Sequence, residues 1–333
     1  MKVNKTLNLL FVFTIIGEAI FLVIFPLNFI NPTHDETHDE MEMELFQLPL
    51  WSTLPFILLT GLTTAYYKTI IRTVIFLIVN LSPNIIIVCN ILFGDLSKFK
   101  YKMITGVIIL GIFQVIYLIL CIILFKIKSW KWISDPINQL DDKLKKVHNI
   151  HQFENALFLM TVSFLGIWII IMELIRILSI GNLVYFPITM IVNISTSIVF
   201  VAIGKESVSL LILFYIASFL ELAIIALRLN MDFYIYFEYH RALAIERIIF
   251  GILAAISLII LNINTILCQK NFNKKFYLLL NYEIELPKEF DYNYDPKQDD
   301  ESESKSESEE ESLITKCKNL DYVSHYNIYV FWI

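Results

Sequence analysis

Eight long apolar runs dominate the chain, and each is about as long as a lipid bilayer is thick. A helix rises about 1.5 Å per residue, so about 20 apolar residues cross the hydrocarbon core. Lipid offers no hydrogen bonds to the backbone, so runs of this kind must form helices. The sequence therefore predicts an all-α, polytopic transmembrane helical bundle of about eight spans. The runs are 7–30, 49–67, 69–93, 104–125, 156–180, 184–203, 207–227 and 245–268.

Composition excludes two other classes of protein. Apolar residues make up 57% of the 333 residues, whereas soluble domains contain about 45–50%. A soluble chain of this size lacks the polar surface to cover eight wholly buried helices. The net charge of -6 arises mainly from two acidic patches, 35–44 and 299–311. Since no basic face exists outside the membrane margins, nucleic acid is not an expected partner.

Basic residues predict the orientation of the spans in the lipid bilayer. With the N-terminus inside, 19 of the 26 lysines and arginines lie on the inner side and seven on the outer side. Basic flanks stay cytoplasmic during insertion. We therefore expect an integral, multi-pass membrane protein with both termini cytoplasmic. The cluster of Lys98, Lys100 and Lys102 falls on the outer side, and the sequence leaves open a plasma membrane or an endomembrane.

Weak internal similarity raises the hypothesis of a four-plus-four tandem repeat. Residues 15–20 of the first run resemble 170–175 of the fifth, and 111–119 of the fourth resemble 251–259 of the eighth. Four helices per half would give parallel copies related by an axis along the membrane normal. The alternative is chance similarity between sequence segments that are rich in isoleucine and leucine. The predicted halves are 1–125 and 156–275.

A cytoplasmic linker, 126–155, is predicted between the halves. Ser134-Asp135-Pro136 is typical of a helix start, and apolar residues then recur at helical spacing over 137–147. Lysines lie beside this stripe and two tryptophans precede it. The pattern predicts an amphipathic helix that contacts anionic lipid through 126–150. The alternative is a helix that packs against the underside of the bundle.

The last segment, 276–333, is predicted to be a cytoplasmic tail. Its acidic run, 299–312, cannot form a core and is expected to be disordered. Ser304, Ser306 and Ser308 each have a glutamate three residues later, a pattern suited to acid-directed kinases. We expect the tail to be phosphorylated and to bind a cytoplasmic protein partner. A solubilising role is compatible with that expectation.

Two sets of histidines resemble partial metal sites. His34 and His38 lie four residues apart in the first outer loop, among carboxylates. They are weak candidates for a divalent cation, because an acidic solvated loop explains them without metal. His148, His151 and Glu154 follow at intervals of three, but are best explained as polar positions on a juxtamembrane helix. We predict neither a resident metal nor a cofactor.

Three glutamates lie deep within the apolar runs, at Glu18, Glu173 and Glu221. An ionisable group in lipid costs about 2.5–3.5 kcal/mol on insertion scales, so such residues indicate a functional site. Glu18 is closest to the midplane. We expect it to be neutral at rest or bonded to a polar face such as that of Asn80 and Asn84.

Uncharged polar residues gather at similar depth. Asn80 and Asn84 lie one turn apart in the third run, where Pro83 favours a kink. Asn193 and Ser197 are spaced in the same way in the sixth run. One interpretation is a polar pathway for a proton, ion or small solute. The other is interhelical hydrogen bonding, at about 0.6 kcal/mol per contact.

Four stretches of the second half are distinctive: 186–202, Lys205-Glu206-Ser207, 263–268 and the exit 271–275. They are similar to a family of uncharacterised multi-pass integral membrane proteins found in fungi, and the resemblance extends loosely over most of 7–276. The Glu18-Ala19 pair is also similar. The resemblance implies an all-helical membrane topology. It implies no activity, cofactor or site, because the family is defined as a domain of unknown function.

Three classes of function are consistent with these features. The sequence favours a non-enzymatic membrane sensor or adaptor that signals through the linker and the phosphorylatable tail. The alternative is a transporter of a small solute, an ion or protons that uses the intramembrane glutamates. An enzyme is not expected, because no nucleophile or metal constellation is apparent.

Overall fold

The computed structural model describes residues 2–27, 46–94, 99–127, 142–178, 197–235 and 241–272. Within these ranges the elements longer than one residue are helices, and Thr69 forms an isolated β-bridge. The helices are α1 (Lys2–Leu27), α2 (Leu54–Tyr67), α3 (Ile70–Val79), α4 (Ser82–Phe93), α5 (Lys100–Lys126), α6 (Asp142–Leu178), α7 (Ile198–Gly204), α8 (Val208–Ile235) and α9 (Arg241–Gln269).

Seven helical segments are long and apolar enough to cross a membrane, which confirms the predicted all-α polytopic class. The sixth predicted run, 184–203, falls mostly within 179–196 and so lies outside the described residues. Its last turns form the short helix α7. The seven segments are Thr6–Leu27, Phe46–Tyr67, Ile70–Phe93, Lys100–Lys126, Asn149–Met172, Val208–Asn230 and Arg241–Gln269.

The outward faces of the helices are as apolar as the core. On α1, Phe13 is 59% exposed, and on α5, Ile108 is 58% exposed. Such faces suit lipid, because lipid tails are as apolar as these side chains and no hydrophobic force drives one face of a helix into the bundle. Specificity of packing must therefore come from shape and from polar contacts. The largest fully buried side chains include Trp168, Tyr117 and Phe11.

Helices α6 and α9 form the most extensive contact among the described helices. Three contacts define one antiparallel register: Glu154 with Thr265, Trp168 with Gly251, and Met172 with Arg247. Moving 14 and then four residues forward along α6 moves the contact by the same numbers backward along α9. Gly251 permits the close approach, because a Cβ there would lie 3.0 Å from Nε1 of Trp168.

The structure differs from the predicted linker boundary at 155/156. Helix α6 begins at Asp142 and continues without a break to Leu178, so 142–155 belongs to the same helix as the fifth span, which starts at Asn149. The sequence predicted a linker helix on the inner leaflet or against the underside of the bundle, because the apolar stripe 137–147 is followed by the polar residues of 148–154. Two of these, His151 and Glu154, are in fact buried. Residues 128–141 lie outside the description, and lipid contact by the linker stays a prediction.

The third span is interrupted near its centre, where the sequence predicts a kink. Helix α3 ends at Val79 and α4 starts at Ser82. Pro83 has no N–H to donate to the carbonyl four residues earlier. The backbone tightens instead, and the N–H of Leu81 bonds the carbonyl of Ile78 at 3.3 Å. Asn80 therefore lies at the junction of two helical segments.

Two glycines on α5 give a test of the packing. A Cβ at Gly106 would lie 2.2 Å from the ring of Phe25 on α1, whereas one at Gly111 meets nothing within 4 Å. Gly111→Ala should raise the free energy of unfolding by up to about 1 kcal/mol through helix propensity. Gly106→Ala should be less stable than Gly111→Ala by about 1–3 kcal/mol, because it overpacks the contact. Thermal unfolding in detergent measures both. Equal stability of the two variants would contradict the α1–α5 packing.

Candidate functional site

Three buried carboxyl groups are held by amide and hydroxyl groups from other helices. The Glu18 cluster consists of Glu18, Asn80 and Tyr117. The Glu246 cluster consists of Glu246 and Asn90. The Glu154 cluster consists of Glu154, Asn264 and Thr265. All of these side chains are less than 9% exposed, and Glu18, Asn80 and Tyr117 are 0% exposed.

The Glu18 cluster joins α1, the α3–α4 junction and α5. The side-chain amide of Asn80 donates to Oε2 of Glu18 at 3.0 Å. The hydroxyl of Tyr117 donates to the same oxygen at 2.7 Å. Asn80 is thus one of the two asparagines expected to face Glu18. The second, Asn84, is half-buried on α4 beyond the kink, and its Oδ1 has no hydrogen-bond partner in the described structure.

Aromatic packing and the kink position the two donors. The Tyr117 ring lies edge-on to Phe11 and Phe76, with centroid distances of 5.5 and 4.9 Å. Gln114, one turn before Tyr117, donates from its side-chain amide to the backbone carbonyl of Asn80 at 2.8 Å. Helix α5 therefore fixes both the hydroxyl donor and the backbone of the amide donor.

The Glu18 carboxyl is satisfied on one oxygen only. Both donors bind Oε2, whereas Oε1 has no hydrogen-bond partner among the described residues. Oδ1 of Asn80 is likewise buried without a donor. A buried oxygen without a donor is unfavourable by about 1–3 kcal/mol. Chemically, Oε1 can accept a proton while both bonds to Oε2 persist.

The Glu154 cluster joins α6 to α9, and both carboxylate oxygens are engaged. The side-chain amide of Asn264 donates to Oε2 at 2.5 Å and contacts the carbonyl of Ile150 at 3.1 Å. The hydroxyl of Thr265 bonds Oε1. This cluster locks the register of the most extensive helix pair, and it offers no unsatisfied carboxylate oxygen.

The Glu246 cluster joins α4 to α9. The side-chain amide of Asn90 donates to Oε1 of Glu246 at 2.5 Å. Oε2 has no hydrogen-bond partner within the part of the chain that the structure describes. The neighbouring Arg247 is also buried, and its Nε contacts the sulfur of Met172 at 2.9 Å. Glu246 thus resembles Glu18 in having one oxygen open to a proton.

The three clusters lie at three depths of the spans. Glu18 is near the middle of the segment Thr6–Leu27. Glu246 and Thr265 lie near opposite ends of Arg241–Gln269, and the 19 residues between them correspond to about 28 Å along a helix. Carboxyl groups are therefore present near both ends and the centre of the membrane-spanning region.

The remaining predicted residues do not join these clusters in the described structure. Glu221 is fully buried on α8, and Ser197 directly precedes α7. Glu173 belongs to α6, but its side chain is outside the description. The other predicted positions lie outside the described residues: Asn193, His34, His38, Ser304, Ser306 and Ser308.

Sequence reasoning missed Glu246, Tyr117 and the role of Glu154. Glu246 lies inside the predicted run 245–268, but the arginines on either side suggested a membrane flank. Glu154 was assigned to a juxtamembrane surface because the fifth span was expected to begin at 156. A signal existed for both: each is followed by a long apolar stretch on its own helix.

Other features of the bundle offer less chemistry. An apolar groove of about 480 Å³ lies between α1 and α2, where Ile16 and Ile20 face Leu54 and Leu58. It lacks polar groups, so it suits lipid chains and not a polar solute. Across the described ranges, no three His, Cys, Asp or Glu side chains come together to hold a metal ion.

Comparisons with protein-family models, curated proteins and solved structures found no match to this chain. The resemblance to uncharacterised fungal membrane proteins therefore stays a prediction.

A double-mutant cycle tests the Glu154 cluster. Glu154→Leu and Thr265→Val each remove one partner, and the pair should show a coupling energy of about 0.6–1.7 kcal/mol in thermal or chemical unfolding. The control cycle pairs Glu154→Leu with Ser257→Ala, because Ser257 is buried on the same helix but bonds its own backbone at Ala254. Coupling no larger than in the control would contradict the contact.

Proposed function

We propose that the protein is a membrane transporter of protons, in which Glu18 carries the proton. The observation that supports this most directly is the half-satisfied carboxyl of Glu18. It is fully buried in the middle of a span, held by Asn80 and Tyr117 on one oxygen and open on the other.

The cluster suits a group that changes its charge inside a membrane. When Glu18 is ionised, two donors on Oε2 stabilise the negative charge, because hydrogen bonds to charged groups are stronger than neutral ones. When Glu18 is protonated on Oε1, the same two donors keep the side chain in place. Oδ1 of Asn80, in the same cluster, is also buried without a donor among the described residues. A purely structural contact needs only one of these states.

The kinked third span supports movement around the same point. Interrupted helices often form the substrate or ion sites of transporters, because a short segment can move without unfolding the span. Here the interruption at Asn80 and Leu81 is bonded directly to Glu18 and to Gln114. A change in the charge of Glu18 would therefore act on the junction between α3 and α4.

The Glu246 cluster fits a route for protons on one side of Glu18. Glu246 has an unsatisfied oxygen near one end of its span, whereas both oxygens of Glu154, near the opposite end, are engaged. The buried hydroxyls of Thr60 and Thr64 bond carbonyls of their own helix, so they are committed to α2. Carboxyl groups are thus the titratable candidates for the route.

Other parts of the proposal rest on sequence. The orientation with both termini cytoplasmic is supported by the distribution of 19 basic residues against seven. The sensor or adaptor function depends on the tail 276–333, which lies outside the described residues. It stays a prediction that deletion of the tail can test separately.

Proton flux into proteoliposomes tests the proposal. The parent, reconstituted around a pH-sensitive dye, should acidify the lumen when a membrane potential is imposed. Glu18→Gln keeps the shape and the acceptor for Asn80 and Tyr117 but cannot release a proton. We expect it to fold like the parent and to fall to the flux of protein-free liposomes. Glu206→Gln, the same substitution at the half-exposed turn between α7 and α8, should keep the parent flux.

Two results would overturn the proposal. Parent flux no higher than that of protein-free liposomes would exclude proton transport. A folded Glu18→Gln variant with parent flux would reduce Glu18 to interhelical hydrogen bonding.

A further inference from the structure

A second polar site, unrelated to the carboxyl clusters, lies at the turn between α2 and α3. We define the Arg72 site as Lys68, Thr69, Arg72 and the first turn of α3. Helix α2 ends at Lys68, which has left-handed backbone angles (φ 54°, ψ 38°), and α3 begins at Ile70. The site is therefore at the edge of the span Ile70–Phe93, at a membrane surface.

Arg72 is a buried cation without a carboxylate in the described structure. Its side chain is 7% exposed, and its guanidinium lies 3.8 Å from the centroid of the Tyr67 ring. Nε has no hydrogen-bond partner among the residues that the structure describes. The carboxyl of Glu154, on the adjacent helix α6, is already engaged by Asn264 and Thr265. Burial of an unpaired charge is unfavourable, so an anion beside Arg72 would stabilise it.

Thr69 supplies an independent sign of an anion. It is the N-cap residue of the ten-residue helix α3, yet its side chain makes no capping hydrogen bond. The residue is 1% exposed, and its hydroxyl has no partner in the described part of the chain. The first backbone N–H groups of a helix also lack intrahelical acceptors. The Thr69 hydroxyl and the N-terminal amides of α3 are thus donors at the same end of this helix.

Three positive elements at the site favour a negatively charged ligand. The N-terminus of a helix carries about half a positive charge, which repels a cation in the first turn. Side chains of a helix tilt toward its N-terminus, and the contact with Tyr67 holds the Arg72 guanidinium on that side. An exposed lysine, Lys68, adds a third positive element. An anion at this point would relieve all three.

We propose that the Arg72 site binds a phosphate group, that of a membrane lipid headgroup. Guanidinium groups match phosphate through paired N–H donors, and helix N-termini bind phosphate through backbone N–H groups. Tyr66, next to the site, is 68% exposed, as is typical of aromatic residues at the headgroup level. The lipid-exposed Val74 and Ile78 begin about one turn further along α3 and offer a surface for an acyl chain.

Binding of short-chain lipids tests this proposal without reference to transport. The parent in detergent micelles is titrated with dioctanoyl phosphatidylglycerol, with dioctanoyl phosphatidylcholine and, in a separate arm, with inorganic phosphate. Thermal unfolding and native mass spectrometry report binding. We expect phosphatidylglycerol to raise the midpoint of unfolding most, and inorganic phosphate at the same concentration to leave it unchanged.

Substitutions test whether phosphatidylglycerol binds at the Arg72 site. Arg72→Gln and Thr69→Val should each weaken phosphatidylglycerol binding, Arg72→Gln by about tenfold or more, because charge-assisted hydrogen bonds contribute about 1.5–3 kcal/mol. Arg72→Lys keeps the charge but loses the paired donors, and serves if Arg72→Gln does not fold. The control is Lys102→Gln, which removes an exposed cation near the ring of Phe99 outside this site.

The outcomes are distinct. Loss of binding in the Arg72 and Thr69 variants, with the Lys102 control unchanged, supports the lipid site. Equal phosphatidylglycerol binding by the parent and all folded variants overturns it. Stabilisation by inorganic phosphate as strong as by phosphatidylglycerol overturns the assignment to lipid.

Discussion

The packing of the bundle depends on the hydrogen bonds that Glu18 accepts from Asn80 and Tyr117. In lipid, apolar surface gains little by turning inward, so helices must find one another through shape and through polar groups that need partners. One carboxyl oxygen here binds two other spans, and Gln114 extends the contact to the backbone at the kink. The position of α1 against the third and fourth spans follows from these bonds together with the Phe11 and Phe76 packing around Tyr117.

A buried glutamate that bonds side chains of another helix also occurs in the second half of the chain. Glu154 on α6 binds Asn264 and Thr265 on α9, as Glu18 on α1 binds Tyr117 on α5. In each half, a glutamate on the first helix bonds the last helix. The chemical state differs, however, because both oxygens of Glu154 are engaged and only one oxygen of Glu18 is. A glutamate therefore forms both contacts: Glu154 has no oxygen free to accept a proton, whereas Glu18 has one.

The apolar runs were sufficient to predict the seven spans found among the described residues, because length and hydropathy alone decide whether a helix can cross a bilayer. Depth along the first and third runs was enough to expect Glu18 near Asn80. Tyr117 could not be predicted, since periodicity does not say which spans are neighbours, and a tyrosine in an apolar run resembles a core residue. Glu246 was not predicted because arginines flank it and suggested the edge of a span. The continuity of α6 was not predicted because 148–154 is polar, and the sequence does not show that Glu154 has a partner on α9.

The most direct test of the central claim is the infrared difference spectrum between acidic and neutral pH, recorded on the parent and on Glu18→Gln in lipid. If the open oxygen of Glu18 takes up a proton while Asn80 and Tyr117 hold the other, the parent should gain a carboxylic-acid carbonyl band on acidification. That band should be missing from Glu18→Gln and shifted in Tyr117→Phe, which loses one donor to the same carboxyl. Identical difference spectra for the parent and Glu18→Gln would contradict the claim.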